Sequence, residues 1–389
     1  MTLKKRLSIY IVCIASVINI SFFSIAFGGG FDNSAIGIKA TGMGFAFTGI
    51  ADDASAVFYN PAGLVYQEKG AWQVEMYGYY VFTDIQYTAN SIEDKSDEEF
   101  IIPGFFASKN FGKWAFGVGG YIPFAGGGAS YKNFQGSPFK LESSAGWNAL
   151  TGAIAYKLSP SLSIGWGMSI YIGEMKSQFF DPGLGTVVEN DYNGYSGYGV
   201  HVGLFYKPVE EIGIGMTVRS EVPIEMEGLV RIAGIETDSE VDFTLPYYLT
   251  LGLGYKPAKN LTFSISATYM LWSDLDKIAF TTANIKSEQK TYYTNSCTVG
   301  MGIEYVTPID LIIRSGIDFR QNASEDKGLT PVSCDVDMVG LHMGFAYDIT
   351  DSIEINIIGA QNFGFEKEYN FAKFNQNGAV IMIGFRKKY

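Results

Sequence analysis

A regular two-residue alternation of side chains runs through most of the chain from Ala71 onward and limits the folds open to it. In the segment 161–173, every second position is apolar, and the positions between are mostly serine or glycine. The segments 261–271 and 296–305 repeat the pattern. A period of two predicts β-strands with one apolar face. The expected fold class is therefore all-β.

Strand length and the placement of aromatic residues favour a membrane over water. Many alternating runs reach ten or more residues, which suits a tilted membrane strand, whereas soluble strands average about five or six. The apolar faces often end in an aromatic residue beside a short turn, as at Tyr255, Tyr305, Tyr347 and Tyr389. A soluble sandwich also alternates, but these two features together predict a transmembrane antiparallel β-barrel.

The spacing of turn signals predicts the number of strands. Short polar connections alternate with longer polar segments, which implies about 14 strands, with 12 or 16 as alternatives. Such a barrel must close, because an open edge leaves backbone groups unsatisfied in hydrocarbon. The short connections are 110–113, 158–161, 207–211, 256–260, 307–310 and 349–352, and the longer segments are 84–98, 124–143, 176–194, 233–241, 285–290, 321–334 and 369–376.

The N-terminal residues predict export from the cytoplasm. Lys4, Lys5 and Arg6 precede an apolar run over 7–23, and Ser24-Ile25-Ala26 fits a cleavage site. A single N-terminal transmembrane helix is the alternative, since the run approaches the length that crosses a bilayer. The expected organisation is a signal peptide over 1–26, a plug over 27–70 and a barrel over 71–389 in the bacterial outer membrane.

Composition argues against nucleic-acid binding and against catalysis. The formal net charge is -12, whereas nucleic-acid binding calls for clustered Lys and Arg. Only His201 and His342 are histidines, and no HExxH, GxSxG or CxxC motif occurs. We therefore expect no catalytic residues, no cofactor and no metal, with a barrel hydrolase as the enzyme alternative. Cys297 and Cys334 are interpreted as unpaired thiols.

The plug segment carries two short motifs at a defined spacing. A barrel of about 14 strands is too wide for its own side chains to fill, so it is plugged or it is an open pore. Ala51-Asp52-Asp53-Ala54 and Asn60-Pro61-Ala62 resemble the N-terminal plug of the FadL-type outer-membrane transporters (OMPP1/FadL/TodX). The resemblance implies a hatch of short helices in the lumen, with Asp52, Asp53, Asn60, Pro61 and Ala62 as its motif residues.

The same resemblance implies a transport mechanism. Long-chain fatty acids or hydrocarbons would be taken up passively, through a lumen pocket, movement of the segment around Phe31, and lateral exit through the wall. Tyr121-Ile122-Pro123-Phe124 resembles the family's kinked third strand, which implies that Gly119, Gly120, Pro123 and Phe124 form the lateral opening. Glycine weakens a strand and proline removes a donor, but glycines facing a crowded lumen are an equal alternative for Gly117 and Gly119.

The alternation of side chains along the predicted strands (their parity) places several charged residues on the face that points into the lumen. A carboxylate ligand favours an arginine partner, so Arg219, Arg314 and Arg320 join Phe31 as candidate ligand-binding residues. The alternative is that each arginine pairs with Glu221, Glu304 or Asp318 and serves structure alone. A general porin, or a surface receptor or adhesin barrel, remains the alternative function.

The expected partners follow from the membrane location. They are a hydrophobic small molecule, outer-membrane lipid and lipopolysaccharide, and the barrel assembly machinery. The alternating run Ala379–Phe385 and the aromatic last residue Tyr389 resemble the terminal signal by which that machinery recognises a barrel. The acidic run 93–99 is expected to be a solvated extracellular loop, with binding of divalent cations at the lipopolysaccharide surface as the alternative. We expect a monomer.

Overall fold

The computed structural model describes residues 30–181 and 184–388. The predicted signal peptide, residues 27–29 of the predicted plug and Tyr389 lie outside these residues. The described strands are β1 (Trp72–Ala89), β2 (Ile92–Asn110), β3 (Trp114–Tyr131), β4 (Leu141–Ser159), β5 (Leu162–Asp181), β6 (Thr186–Val209), β7 (Ile212–Arg219), β8 (Val222–Ile232), β9 (Ile235–Leu245), β10 (Tyr248–Ala258), β11 (Leu261–Met270), β12 (Lys277–Thr282), β13 (Ile285–Lys290), β14 (Ser296–Val306), β15 (Leu311–Arg320), β16 (Met338–Thr350), β17 (Ile353–Gly364), β18 (Lys367–Tyr369) and β19 (Ala372–Lys388).

These strands form a closed antiparallel barrel of 14 strands, which confirms the predicted fold class and count. Five barrel strands are interrupted and each consists of two segments, β7 with β8, β9 with β10, β11 with β12, β13 with β14, and β17 with β18. The seam is closed by β1, which pairs with β2 on one side and with β19 on the other. Apart from this seam, neighbouring barrel strands follow one another in chain order, as expected of an up-and-down barrel.

The two faces of the wall differ as the alternation predicts. Outward side chains of β5 such as Trp166 and Ile172 are 44% and 55% exposed, whereas the intervening Ser163 and Ser169 are buried. The outward face is thus the apolar one, as in a barrel surrounded by lipid. No helix in the described part of the chain is long and apolar enough to cross a membrane.

The hairpins on one side are longer than the sequence predicts. Asn90-Ser91, Ala233-Gly234, Ala283-Asn284 and Asn370-Phe371 form two-residue turns with positive φ at both positions, the geometry of type I′ hairpins. The segments 84–98, 176–194, 233–241, 285–290 and 369–376, predicted to be loops, are mostly paired strand. A strand with polar side chains on both faces shows no alternation of apolar and polar residues, so its sequence does not predict it. Such strands form where neither face contacts lipid.

The chain from Gly30 to Gly70, called the plug below, lies inside the ring of strands. It contains the helices Ile38–Gly42 and Ala56–Tyr59 and the 3-10 helix Pro61–Tyr66. The first helix contacts β15, β16, β17 and β19, and the 3-10 helix contacts β2 to β6 on another part of the wall. Further 3-10 helices are Phe134–Gly136, Trp272–Asp274 and Asp326–Gly328.

Candidate functional site

The first plug motif attaches the plug to the wall through charges. Asp52 accepts ion pairs from Lys39 at 3.2 Å and from Lys256 of β10 at 2.8 Å. Burial opposes ionisation of Asp52, but the two lysines outweigh it and hold its pKa well below the usual range. Asp53 accepts the backbone N–H of Ser55 at 2.9 Å and pairs with Arg386 of β19 at 2.8 Å. Both aspartates therefore contribute to anchoring.

The second plug motif packs against β5 and β6. The side-chain oxygen of Asn60 accepts the N–H of Ala62 at 3.2 Å, and its amide donates to the carbonyl of Leu204 at 2.9 Å. Pro61 occupies the first turn of the 3-10 helix, where a missing N–H costs nothing. Ser163 donates to the carbonyl of Ala62 at 2.7 Å. The motif thus starts the helix and fixes it to the wall.

A buried ion network extends from these anchors along the wall. Arg314 is 1% exposed and donates to Glu304 at 2.7 Å and to Asn356 at 2.6 Å, with Glu354 at 3.6 Å. Lys39 of the plug also reaches Glu304, at 2.8 Å. Arg314, predicted as a ligand-binding candidate, is placed in this network and does not line the large cavity described below.

The pairing between β2 and β3 is incomplete. The ladder runs from Asn110↔Ala115 to Phe105↔Gly120 and stops there, although β2 remains paired with β1 along its whole length. The two strands meet again where Ser130 donates its N–H to the Ser96 hydroxyl at 2.7 Å. Residues 97–104 of β2 and 121–129 of β3 therefore face each other without a ladder. We call this interval the gap.

The plug takes up the edge of β3 that β2 leaves. Ala125 donates its N–H to the carbonyl of Phe31 at 2.8 Å, and Asn33 donates its N–H to the carbonyl of Pro123 at 2.9 Å. The Asn33 amide adds bonds to Ile122 at 2.6 Å and to the Tyr79 hydroxyl at 2.7 Å. A register shift between Tyr121 and Phe124 bends β3 at this height. Pro123 and Phe124 thus lie beside the gap.

A cavity of about 450 Å³ lies between the plug and the wall beside the gap. Its lining is mainly apolar, with four acidic or basic side chains, Asp32, Glu99, Arg320 and His342. Burial raises the pKa of Asp32, partly offset by the hydroxyl of Ser34 at 2.6 Å and by the charge of Arg320. A smaller cavity of about 50 Å³ on the other side of Asp32 is lined by Arg219 and Phe58.

The predicted ligand-binding residues are placed in different surroundings. Arg320 lines the large cavity, and Arg219 lines the small one and donates to the carbonyl of Phe58. Phe31 is buried among aromatic rings of Trp147, Phe243, Trp272 and Tyr293, with ring centroids 5.6 to 6.4 Å away. These residues are therefore not brought together, and their roles in binding stay predictions.

Gly119 and Gly120 are the last two residues of β3 that pair with β2 before the gap begins. A side chain at Gly119 would meet the ring of Phe106, and one at Gly120 would meet the ring of Phe105. Both glycines make room for aromatic rings from β2 on the two faces of the wall. Their part in a lateral opening stays a prediction.

Several residues that line the cavity were not predicted from the sequence. Glu99 lies in the acidic run that was expected to be a solvated loop, but this run belongs to β2. Tyr79 and Asn33 carry no motif, although parity places Tyr79 on the lumen face of β1. Within the described ranges, no group of three or more His, Cys, Asp or Glu is placed to hold a metal ion. Cys297 and Cys334 are both free thiols.

Comparisons with known proteins agree on one family and one fold. The model of the family described as outer membrane protein transport protein (OMPP1/FadL/TodX) matches residues 20–384. Outer membrane protein P1 of Haemophilus influenzae is 23% identical over 386 residues, covering 82% of this chain and 83% of the relative. A Pseudomonas aeruginosa FadL homologue has a similar crystal structure, with a TM-score of 0.80 at 17% identity, covering 92% of this chain and 99% of the other. The Pseudomonas putida toluene transporter TodX gives a TM-score of 0.74 at 19% identity, covering 93% and 100%.

Proposed function

Because this chain belongs to the OMPP1/FadL/TodX family of outer-membrane transport proteins, we propose that it carries hydrophobic molecules passively across the outer membrane through the large cavity and the gap. The barrel supplies the passage, and no energy source is required beyond the concentration difference. The name of TodX as a toluene transporter supports an apolar cargo. Cargo enters from the loops, rests in the cavity and leaves sideways between β2 and β3.

The observation that carries this proposal is that the large cavity includes residues from both faces of the wall. Tyr79 and Val81 belong to the lumen-facing set of β1, whereas Ile101 of β2 belongs to the outward-facing set and is 75% exposed. In a continuous sheet, side chains of opposite faces are separated by the backbone. Here the missing ladder allows one cavity to include both.

The height of the gap supports exit into lipid. The gap residues Ile101 and Pro103 pair with Tyr80 and Gly78 of β1, which in turn pair with Ile381 and Ile383 of β19. Ile381 and Ile383 are 47% and 58% exposed and belong to the apolar outward face. A molecule that leaves through the gap therefore meets hydrocarbon and not water.

The anchoring of the plug favours a sideways route over a straight one. Charged pairs hold the plug to β10, β14 and β19, and removing one partner from a buried pair costs about 3 to 5 kcal/mol. By contrast, the segment 31–33 is held to β3 by the few hydrogen bonds described above, each worth about 0.5 to 1.5 kcal/mol. We expect this segment to move while the rest of the plug stays in place.

The cavity has a size and lining suited to an apolar cargo. Its volume of about 450 Å³ lies within the roughly 300 to 1,000 Å³ of small-molecule sites. Each buried methylene contributes about 0.8 kcal/mol, so a chain of several carbons outweighs one polar contact. The affinity should therefore depend mainly on the apolar lining.

The proposal is tested by filling the mouth of the cavity. Gly146 lines the cavity, and a side chain there would meet nothing within 4 Å. Gly146→Phe should lower the initial uptake of radiolabelled dodecanol several-fold in a host that lacks its own transporter of this family. Gly152→Phe is the matched control, since Gly152 lies on the same strand, is exposed on the outer face and also has open space.

Two outcomes would count against transport by this route. Unchanged dodecanol uptake in a correctly assembled Gly146→Phe protein would exclude the cavity as the passage. Steady conductance of the wild-type protein in planar bilayers, together with entry of small sugars, would make a general porin the better description.

A further inference from the structure

We propose that the large cavity selects its cargo by charge, admitting uncharged hydrophobic molecules such as alkanes, aromatics and alcohols and excluding carboxylate anions. This inference rests on the proposed function and names the substrate class of the same cavity. It follows from how the charged side chains around the cavity are paired.

Arg320, the cation that lines the cavity, is already neutralised. Its Nε donates to Asp318 Oδ2 at 2.8 Å, and its Nη2 donates to the side-chain oxygen of Asn362. Asp318 is 1% exposed and also accepts from His342 Nε2 at 2.6 Å. The guanidinium is thus the partner that this buried carboxylate requires. An entering anion would have to share it with Asp318.

Two further carboxylates line the cavity without such a partner. Asp32 accepts from the hydroxyl of Ser34, and Glu99 accepts from the hydroxyl of Tyr80. Among the described residues, neither carboxylate has a lysine or arginine nitrogen within the 4.0 Å of an ion pair. Asp32 belongs to the plug and Glu99 lies on the outward face of β2, so the cavity has one carboxylate at the plug and one at the gap.

The lining of the cavity offers an entering anion no unpaired lysine or arginine. The charge of Arg320 is already offset by Asp318, and Arg219 lies in the smaller cavity, on the other side of Asp32, where it donates to the carbonyl of Phe58. The burial that raises the pKa of Asp32 also disfavours a second carboxylate beside it. Like charges repel more strongly where water is excluded, so an anion is also opposed at Glu99, whereas an uncharged molecule is not.

The test compares two molecules of equal chain length that differ in charge. Initial uptake of radiolabelled dodecanol and dodecanoate is measured at pH 7.5 in a host that lacks its own transporter of this family, with the empty host subtracted. The wild-type protein should favour dodecanol by at least roughly tenfold, since the anion finds no free basic partner and is opposed by the charge of Glu99. Glu99→Gln should reduce this ratio several-fold, because it keeps the shape of the side chain and removes its charge.

The matched control is Asp97→Asn. Asp97 lies two residues from Glu99 on the same face of β2 and is exposed, but it does not line the cavity. Its ratio should equal that of the wild type. Assembly of every variant is checked by the shift in gel mobility between heated and unheated samples.

Each remaining outcome overturns the inference. Equal entry of both molecules through the wild-type protein would overturn selection by charge and leave the proposed transport standing. An unchanged ratio in Glu99→Gln would show that this carboxylate is not the filter. If neither molecule enters above the empty host, the proposed function fails, and the inference fails with it.

Discussion

The backbone N–H of Asn33 donates to the carbonyl oxygen of Pro123 at 2.9 Å, so that the plug continues the hydrogen bonding of β3 where β2 has left it. An unpaired strand edge in hydrocarbon is costly. The plug residues 31–33 therefore stabilise the gap in the wall as well as covering it from within. Any movement of these residues exposes the β3 edge, so the position of the plug segment determines whether the gap is covered or open.

Loosening this contact should change transport. Asn33→Ala removes the side-chain bonds to Ile122 and Tyr79, each worth about 0.5 to 1.5 kcal/mol. Because residues 31–33 must move in the proposed route, we expect the initial rate of dodecanol uptake to rise several-fold. Gln361→Ala is the control, since the Gln361 amide also donates two hydrogen bonds, in this case both to backbone carbonyls, but is exposed on the outer face. A lower rate in Asn33→Ala would contradict movement of this segment.

Removing the cation at the end of the ion network should destabilise the barrel. Arg386→Met leaves Asp53, Glu75 and Glu354 without their shared partner. We expect the free energy of unfolding in urea to fall by about 3 to 5 kcal/mol, the cost of breaking a buried pair. Arg231→Met, which breaks exposed pairs with Glu189 and Glu236, should cost at most about 1 kcal/mol. Equal losses in the two variants would show that the buried network has no special weight.

The close packing of plug and wall can be tested at a glycine. A side chain at Gly300 of β14 would meet the backbone of Gly44 in the plug. Gly300→Val should lower the free energy of unfolding by about 1 to 3 kcal/mol, as overpacking does, and should increase cleavage of the plug by added protease. Gly359→Val is the control, because Gly359 is exposed and has open space around it. Protease resistance unchanged in Gly300→Val would contradict tight seating of the plug.

Plug anchoring should weaken in acid through Asp52. Lys256 and Lys39 overcome the effect of burial and hold the pKa of Asp52 well below its usual value of 3.8. A carboxyl whose folded-state pKa is depressed contributes stability that is present above its unfolded pKa and is lost as the pH falls through the folded value. Thermal stability should therefore decline as the pH falls below about 4. Asp52→Asn should be less stable than the wild type at pH 7 and should lose less on acidification; an equal loss would assign the acid sensitivity to other groups.

The alternation of side chains was sufficient to predict the barrel. Residues that face lipid are apolar, whereas the neighbouring residues that face the lumen and the plug are mostly small or polar. The same reasoning failed for the hairpin ends of β1 and β2, since both faces of β2 and the outward face of β1 are polar there. Asp84 and Glu98, assigned to a loop, belong to these paired strands.

The candidate site was predictable only in part. Parity placed Arg320 and His342 in the lumen, and both line the cavity. The same parity placed Arg314 there as well, but the sequence could not show that Glu304 and Asn356 already engage it. Alternation could not predict the gap, because the gap depends on which hydrogen bonds form between β2 and β3, a property of two strands and not of either alone. Only the resemblance of Tyr121-Ile122-Pro123-Phe124 to the family implied an opening at the third strand.

Arg386 also has a consequence for the order of assembly. It lies on β19, the last strand in the described chain, and contacts Asp53 in the plug, 333 residues earlier. The same side chain reaches Glu75 on β1 and Glu354 on β17. The anchor between Asp53 and β19 can therefore form only when the final strand arrives, and one guanidinium then joins both sides of the seam. Closure of the barrel and completion of the plug's anchoring are thus coupled through a single side chain.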